Sequence, residues 1–492
     1  MNSTGHNSLR NREESILKLC TVFGVFLVIF SAMLLVISSF GSVVPFLDEW
    51  DAEAIGLYKP FLEGRLTLSH FIEPHNGHRI VLSRITELVV YLLNGGWDPQ
   101  LQMVFNAAIH ALIGAFLSYF ACQELKGLTR YFAIFATCVL FSIPYSWLSI
   151  LVAFQSQFYF MMLFSVLALL YFSQERYRFA YFFAILSMLS MTSGALVLPA
   201  VIISTALDSI QARAMSRSQL FSVITCSILF LFFLFFLEQD GASQAFQAQS
   251  VSAFVITVIA AISWPFRISY GVGLLVYVPF LILMVRELSG FRSNPFYRYC
   301  GAFLLLQIIV MGYFRGGYGE APANRYWEIL IVGLWLNTMC LAVHLKSTKS
   351  FLSRTSAYTW IVLMITGLVM LAVTSLENLP LHKSNSELSQ TLISDYIANG
   401  DSSVFQGRSQ LELSYPYPDR LAEILTDPSV RQILPSALSG NSQDNLGPLK
   451  ELMFRLWWLL GGIGLTSLIW SIAKDYKLGK SLNAGIDEQS SD

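Results

Sequence analysis

After Lys18 the chain runs to Ser39 without a charge, and comparable runs recur along its length. A stretch of about 20 apolar residues is what a helix needs to cross a bilayer. Only 13% of residues are charged and 54% are hydrophobic, whereas a soluble domain carries roughly 25% charged residues. The pattern predicts an all-α polytopic membrane protein. Spans are expected near 16–39, 101–122, 131–150, 158–172, 179–191, 195–207, 220–237, 269–285, 299–314, 329–345, 358–373 and 452–473. That makes about twelve, several of them short for the task.

Two further segments do not read as plain spans. Residues 80–94 put Ile80, Ser83, Arg84, Glu87, Tyr91 and Asn94 on one helical face and Val81, Leu82, Ile85, Leu88, Val89, Leu92 and Leu93 on the other. That period suits an interfacial helix lying along the membrane, or else a short tilted span with a polar seam. Residues 251–262 are apolar but stop at Trp264-Pro265, which suggests a re-entrant or interfacial piece.

Basic residues set the expected orientation. With a cytoplasmic N-terminus (1–15), one side collects Lys126 and Arg130, Arg176 and Arg178, Arg213 and Arg217, Arg286, Arg292 and Arg298, and Lys346, Lys349 and Arg354. Lys474, Lys477 and Lys480 join them in the tail, 474–492, whose end 481–492 reads as disordered. That is the asymmetry of cytoplasmic connections. The first loop, 41–79, and a segment at 376–450 then face outward, and 451–473 is the last span. In the outer segment Asp427-Pro428 reads as a helix cap followed by a first-turn proline. The segment is too small for a strong core of its own and is expected to cover the membrane part as a lid. The apolar start ends in no small-residue cleavage site, so it reads as a retained helix. All six cysteines lie in or beside apolar runs, which argues against a disulfide framework. A net charge of −1 gives no reason to expect nucleic acid.

The chemistry concentrates in the first loop. Phe46-Leu-Asp-Glu-Trp-Asp51 supplies Asp48, Glu49 and Asp51. They either cap a helix over 50–58 or provide a general base for an acceptor hydroxyl. On an α-helix Asp48 and Asp51 share a face and Glu49 points about a hundred degrees away, so the expected order is Asp48, Asp51, Glu49. Pro74-His-Asn-Gly-His-Arg79 adds His75, His78 and Arg79. These hold an anionic phosphate, or the histidines join Asp48 or Asp51 around a divalent ion, or they are polar surface. No other cofactor is expected. A second cationic site is the glycine-rich stretch from Arg315 to Arg325, where Arg325 suits bidentate phosphate contact or a snorkelling anchor. Gln155, Gln157 and Arg267 are lesser candidates, and His110 reads as a packing residue.

A cytoplasmic start, an acidic motif in a long first outer loop and an amphipathic helix beside the membrane resemble the GT-C glycosyltransferases. These include protein mannosyltransferases and the aminoarabinose transferase of lipid A. The resemblance spans roughly 16–373. It implies a many-helix fold, a base among Asp48 and Asp51, and a donor sugar on a polyprenyl phosphate or diphosphate. Asn324-Arg325-Tyr326 looks like the Arg-Tyr pair that some members place near the donor phosphate. Here Glu-Trp separates the two aspartates, where the family pattern is an adjacent pair, so the base is open between them. Tyr415-Pro-Tyr-Pro-Asp419 is similar to bacterial membrane proteins of this type, implying a bacterial inner membrane with the active site facing the periplasm. The implied acceptor is an envelope glycan, lipid or protein. Two other readings compete: an O-antigen ligase or polymerase, with its key groups in later loops, and a lipid or glycan flippase, which needs mid-membrane ionisable groups.

Overall fold

The computed structural model describes residues 3–235, 244–266, 270–317, 321–348, 350–439 and 444–489. Every extended element among them is helical. The long helices are α1 (Ser3–Phe40), α2 (Val81–Asn94), α3 (Pro99–Glu124), α4 (Gly127–Ser142), α5 (Ser156–Ser173), α6 (Tyr177–Ser190) and α7 (Val197–Ala212). They continue with α8 (Arg217–Phe235), α9 (Val251–Ile262), α10 (Val278–Leu288), α11 (Phe296–Phe314), α12 (Trp327–Ser347), α13 (Phe351–Asn399) and α14 (Gly447–Gln489). Ten helices among the described residues are long and apolar enough to cross a membrane. The chain is a helical, membrane-embedded protein. Two of the expected spans, near 131–150 and 179–191, correspond to α4 and α6, which at 16 and 14 residues fall short of that length. The segment 251–262 forms the 12-residue α9.

Polar contacts between elements gather at two ends of the bundle. At one end Arg130 and Tyr131 meet Asp475 at 3.0 and 2.9 Å, Asn294 donates to Glu124 at 2.7 Å, and Arg298 pairs with Asp208 and Glu287. At the other, Lys450 pairs with Asp98, Lys59 with Asp427, and Thr192 donates to the Gly77 carbonyl at 2.9 Å. Helices α1 and α14 join the two ends. They approach so closely that a Cβ at Gly24 would stand 2.9 Å from the Gly464 carbonyl, and one at Gly464 would stand 2.9 Å from that of Gly24. Only glycine allows this separation.

One element departs from the sequence reading and another adds to it. Helix α13 does not end near residue 375. It continues through Pro380 to Asn399, because Leu379, His382, Ser386, Ser389, Leu392, Ile393 and Tyr396 keep one face buried. That burial outweighs the hydrogen bond a helix-interior proline removes. Helix α2 turns its polar face inward: Ser83, Arg84, Glu87 and Asn94 are buried, while Ile85, Val89, Leu92 and Leu93 are exposed. Arg84 donates to the carbonyls of His70 and Glu73 at 2.6 and 2.5 Å, while both carboxylate oxygens of Glu87 are buried without a hydrogen-bond partner in the protein.

The short helices after Asn399 pack on the first loop. Trp50, Leu57, Tyr58 and Trp97 share one apolar cluster with Ile393, Phe405, Leu421, Leu425 and Ile433. Asp427 caps Pro428–Ile433 by accepting from Ser429 N at 2.9 Å.

Candidate functional site

The first loop is built around one unusual turn. Leu47 adopts φ +49°, a left-handed conformation rare for a branched side chain. Its N–H donates to the carbonyl of Ser414 at 2.7 Å, and Ser414 is itself left-handed at φ +58°. The segment after Asn399 thus holds the residue immediately before Asp48. From Glu49 to Tyr58 the chain is a π-helix, closed by Lys59 N donating to Ala54 O, five residues back. Such turns are rare and concentrate at functional sites.

This geometry separates the three carboxylates. Glu49 is fully buried and accepts from Phe46 N at 3.0 Å, Ala153 N at 2.8 Å and Phe154 N at 3.4 Å. Asp51 turns toward the segment after Asn399, where the Tyr415 hydroxyl donates to it and Arg420 lies 3.6 Å away. Of the three, it is Asp48 that lines the cavity bounded by His75, His78 and Arg325. The expected shared face for Asp48 and Asp51 is not found: Asp48 precedes the helix, and the wider π-turn replaces α spacing.

The cavity holds about 40 Å³ and is walled by Asp48, His75, Asn76, His78, Gln155, Gln157, Arg315, Arg325 and Tyr326. His75 Nε2 stands 3.6 Å from Asp48 Oδ1, and the Asn76 amide donates to the same oxygen at 3.3 Å. His75 and His78 exchange both backbone hydrogen bonds at 2.9 Å around the Asn76-Gly77 turn, which directs both rings toward the cavity. Burial raises the Asp48 carboxyl, but the His75 hydrogen bond and the charges of His75 and Arg325 outweigh it and hold the group below its ordinary value. Burial, reinforced by Arg315 and Arg325, lowers His78 to about 4. At neutral pH His78 is therefore a neutral hydrogen-bonding group, not the cation expected for phosphate. Arg79 is not at the cavity; it donates to the Ile72 carbonyl at 3.0 Å.

Arg325 is held by its neighbours. Asn324 accepts from Leu148 N at 2.9 Å and donates to the Tyr145 carbonyl at 2.6 Å, while Ser149 donates to the Arg325 carbonyl at 3.2 Å. Three residues on, Glu328 accepts from Ser146 and lies 3.1 Å from His110. His110 thus both packs and pairs. Glu328 was missed by the sequence reading, although an acid inside an apolar run is costly unless partnered and is a signal in itself. Arg315 and Arg325 both lie against the Tyr326 ring, at 6.0 and 5.5 Å from its centroid, within cation–π range.

A larger cavity of about 510 Å³ shares Asn76, His78, Met191, Arg315 and Tyr326 with the polar one. Its remaining wall is mainly apolar, from Leu196, Phe230, Phe233, Val310, Met311 and Phe314. Arg267 and the middle of the glycine-rich stretch, residues 318–320, lie outside the described residues. Among the described residues no three His, Cys, Asp or Glu come together as metal ligands; His75 and Asp48 are the nearest approach to such a group at this site.

No family model matches this chain, and neither a curated protein nor a solved structure matches it.

Proposed function

We propose that the chain is an integral-membrane glycosyltransferase of the GT-C kind. It transfers a sugar from a polyprenyl-phosphate donor to an envelope glycan, lipid or protein acceptor in a bacterial inner membrane. The observation that carries this reading is the adjacency of the two cavities, which share Asn76, His78, Met191, Arg315 and Tyr326: one carboxylate and two guanidiniums line a polar chamber beside a larger, mainly apolar one. A phosphate esterified to a long apolar chain has that same division.

In this reading Asp48 accepts the proton of the acceptor hydroxyl as its oxygen attacks the anomeric carbon. The bond from that carbon to the phosphate oxygen breaks, and its electron pair leaves on the phosphate. Arg325 and Arg315 stabilise the charge that develops there. Attack opposite the departing phosphate inverts the anomeric centre. The low proton affinity of Asp48 keeps it ionised and ready, and it takes the proton only as the hydroxyl becomes acidic in the transition state. The basic connections support an outward-facing site. Cysteines introduced at Ser69 and Ser402 are expected to react with an impermeant thiol reagent in spheroplasts, and one at Ser216 is not; all three positions are exposed.

The deciding experiment supplies purified protein in proteoliposomes with radiolabelled polyprenyl-phosphate sugars and an envelope fraction, without any ion gradient. Transfer by the parent and its loss in Asp48→Asn are expected. No transfer to any fraction, or equal transfer by the variant, removes the proposal. Movement of the lipid across the bilayer without transfer would favour the flippase reading.

A further inference from the structure

Gln155 and Gln157 wall the polar cavity, are only 4% and 6% exposed, and each has a buried amide oxygen with no hydrogen-bond partner. A buried acceptor left without a donor is costly, and native proteins seldom keep one without a reason. Here two stand side by side on one cavity. Both line it where the 3₁₀ turn Ala153–Gln155 leads into α5. Glu49 holds that turn by accepting from the N–H groups of Ala153 and Phe154. The buried acid of the first loop therefore sets the entry of α5 at the point where the pair projects.

The surroundings narrow the ligand. Phe154, Phe158 and Tyr326 contribute aromatic surface to the same cavity, Phe158 and Tyr326 meeting edge to face at 5.5 Å. Amide groups beside aromatic faces match a sugar ring, whose hydroxyls need hydrogen-bond partners while its C–H face needs apolar contact. Rotating either amide exchanges an oxygen for an NH₂ group at the same place, and a hydroxyl can partner both.

We infer that Gln155 and Gln157 form a polyol subsite that binds the hydroxyls of a sugar ring. The inference rests on the transferase reading for its placement beside Asp48. The sugar belongs either to the lipid-phosphate donor or to the acceptor.

The test measures binding to the purified full chain in detergent. The probes are farnesyl phosphate, farnesyl phosphates carrying mannose, glucose, galactose or arabinose, and the methyl glycosides of these sugars. The parent is compared with the Gln155→Leu/Gln157→Leu double variant, which keeps side-chain bulk and removes both amides. At least one sugar-bearing probe is expected to bind the parent more tightly than its sugar-free counterpart. The double variant should lose roughly tenfold in that probe's affinity and keep its farnesyl phosphate affinity within about twofold. It should melt no lower than the parent, since it no longer buries unpartnered amides; a structural role would lower the melting temperature. Loss on the farnesyl-linked sugars assigns the subsite to the donor, and loss on the methyl glycosides assigns it to the acceptor. The subsite is overturned if no sugar improves binding, if farnesyl phosphate weakens equally, or if the variant melts lower with sugar binding intact. Failure of the parent to bind farnesyl phosphate while methyl glycosides bind through the glutamines would remove the transferase reading and leave the polyol subsite standing.

Discussion

Asp48 and Glu53 stand five residues apart in the same loop and end in opposite surroundings. Glu53 is fully buried, and one of its oxygens accepts from Trp97 Nε1 at 3.0 Å, Gln102 Nε2 at 2.9 Å and the Tyr58 hydroxyl at 3.3 Å. Burial drives its proton affinity up to about 7, against the pull of those donors. Asp48 faces a cavity whose wall includes buried polar atoms without partners: both glutamine oxygens, Arg325 Nε and His78 Nδ1. One carboxylate is committed to holding the loop together; the other has its neighbours arranged around space. Residue type does not distinguish them, and neither does sequence distance. The difference is what the rest of the fold brings to each.

The largest expected effect tests that contrast directly. Asp48→Asn should lower turnover at least about a hundredfold, the scale of a positioned base, while its melting temperature stays near the parent's. Glu53→Leu should do the reverse. Trp97 Nε1 loses its acceptor while Gln102 and Tyr58 each lose one of two, which costs about 1–3 kcal/mol of stability, and turnover per folded molecule changes little. If both variants lost activity in proportion to stability, the separation between chemical and structural carboxylates would be lost.

Arg325 comes next. Arg325→Ala should reduce turnover by roughly a hundredfold, as for other preorganised charge-stabilising groups. Arg325→Lys should recover only part of that loss, because an ammonium lacks the planar fork. Equal rates for the lysine variant and the parent would mean that charge alone matters. Equal rates for the alanine variant would remove Arg325 from the site.

Stability against pH sharpens the comparison further, because the two regions titrate in opposite senses. Glu53 is raised in the folded state, so its contribution is complete below its ordinary value near 4.5 and is lost as pH rises through about 7. His78 is depressed, so its contribution is present above its ordinary value near 6.5 and is lost as pH falls through about 4. Melting curves of Glu53→Gln should decline less steeply toward neutral pH, the buried Glu49 and Glu87 carboxyls, raised in the same sense, keeping part of the decline. Those of His78→Asn should lack the decline on the acid side. Each difference should amount to about 1–3 kcal/mol across its window. A Glu53→Gln profile parallel to the parent's would show that the carboxyl does not bind its proton more tightly on folding.

The smallest effect is expected at Asp51. Its partners are the Tyr415 hydroxyl and a partly exposed Arg420, and exposed ion pairs contribute roughly 0–1 kcal/mol. Asp51→Asn should therefore change turnover less than about tenfold. A loss as large as that of Asp48→Asn in the transfer assay would reverse the order of the two aspartates.

The outline of this protein was readable because hydrocarbon selects for a local property. Length and apolarity of a run are sufficient to mark a span, and the long apolar helices follow the expected runs closely. The helical period of 81–94 was legible for the same reason, but the side its polar face meets was not. Arg84 finds the carbonyls of His70 and Glu73 only after the loop has folded back over it. Likewise, the stretch 46–51 announced an acidic cluster, yet α-helical spacing assigned its members to the wrong common face. The left-handed Leu47 before the π-turn is held by Ser414, 367 residues further along. Gln155 and Arg325 come from different helices and meet Asp48 only in the assembled bundle. Local composition determined which segments are long and apolar enough to cross a membrane. Only the tertiary structure decided which buried polar groups were left without partners, because hydrogen-bond satisfaction is a property of the whole packed chain.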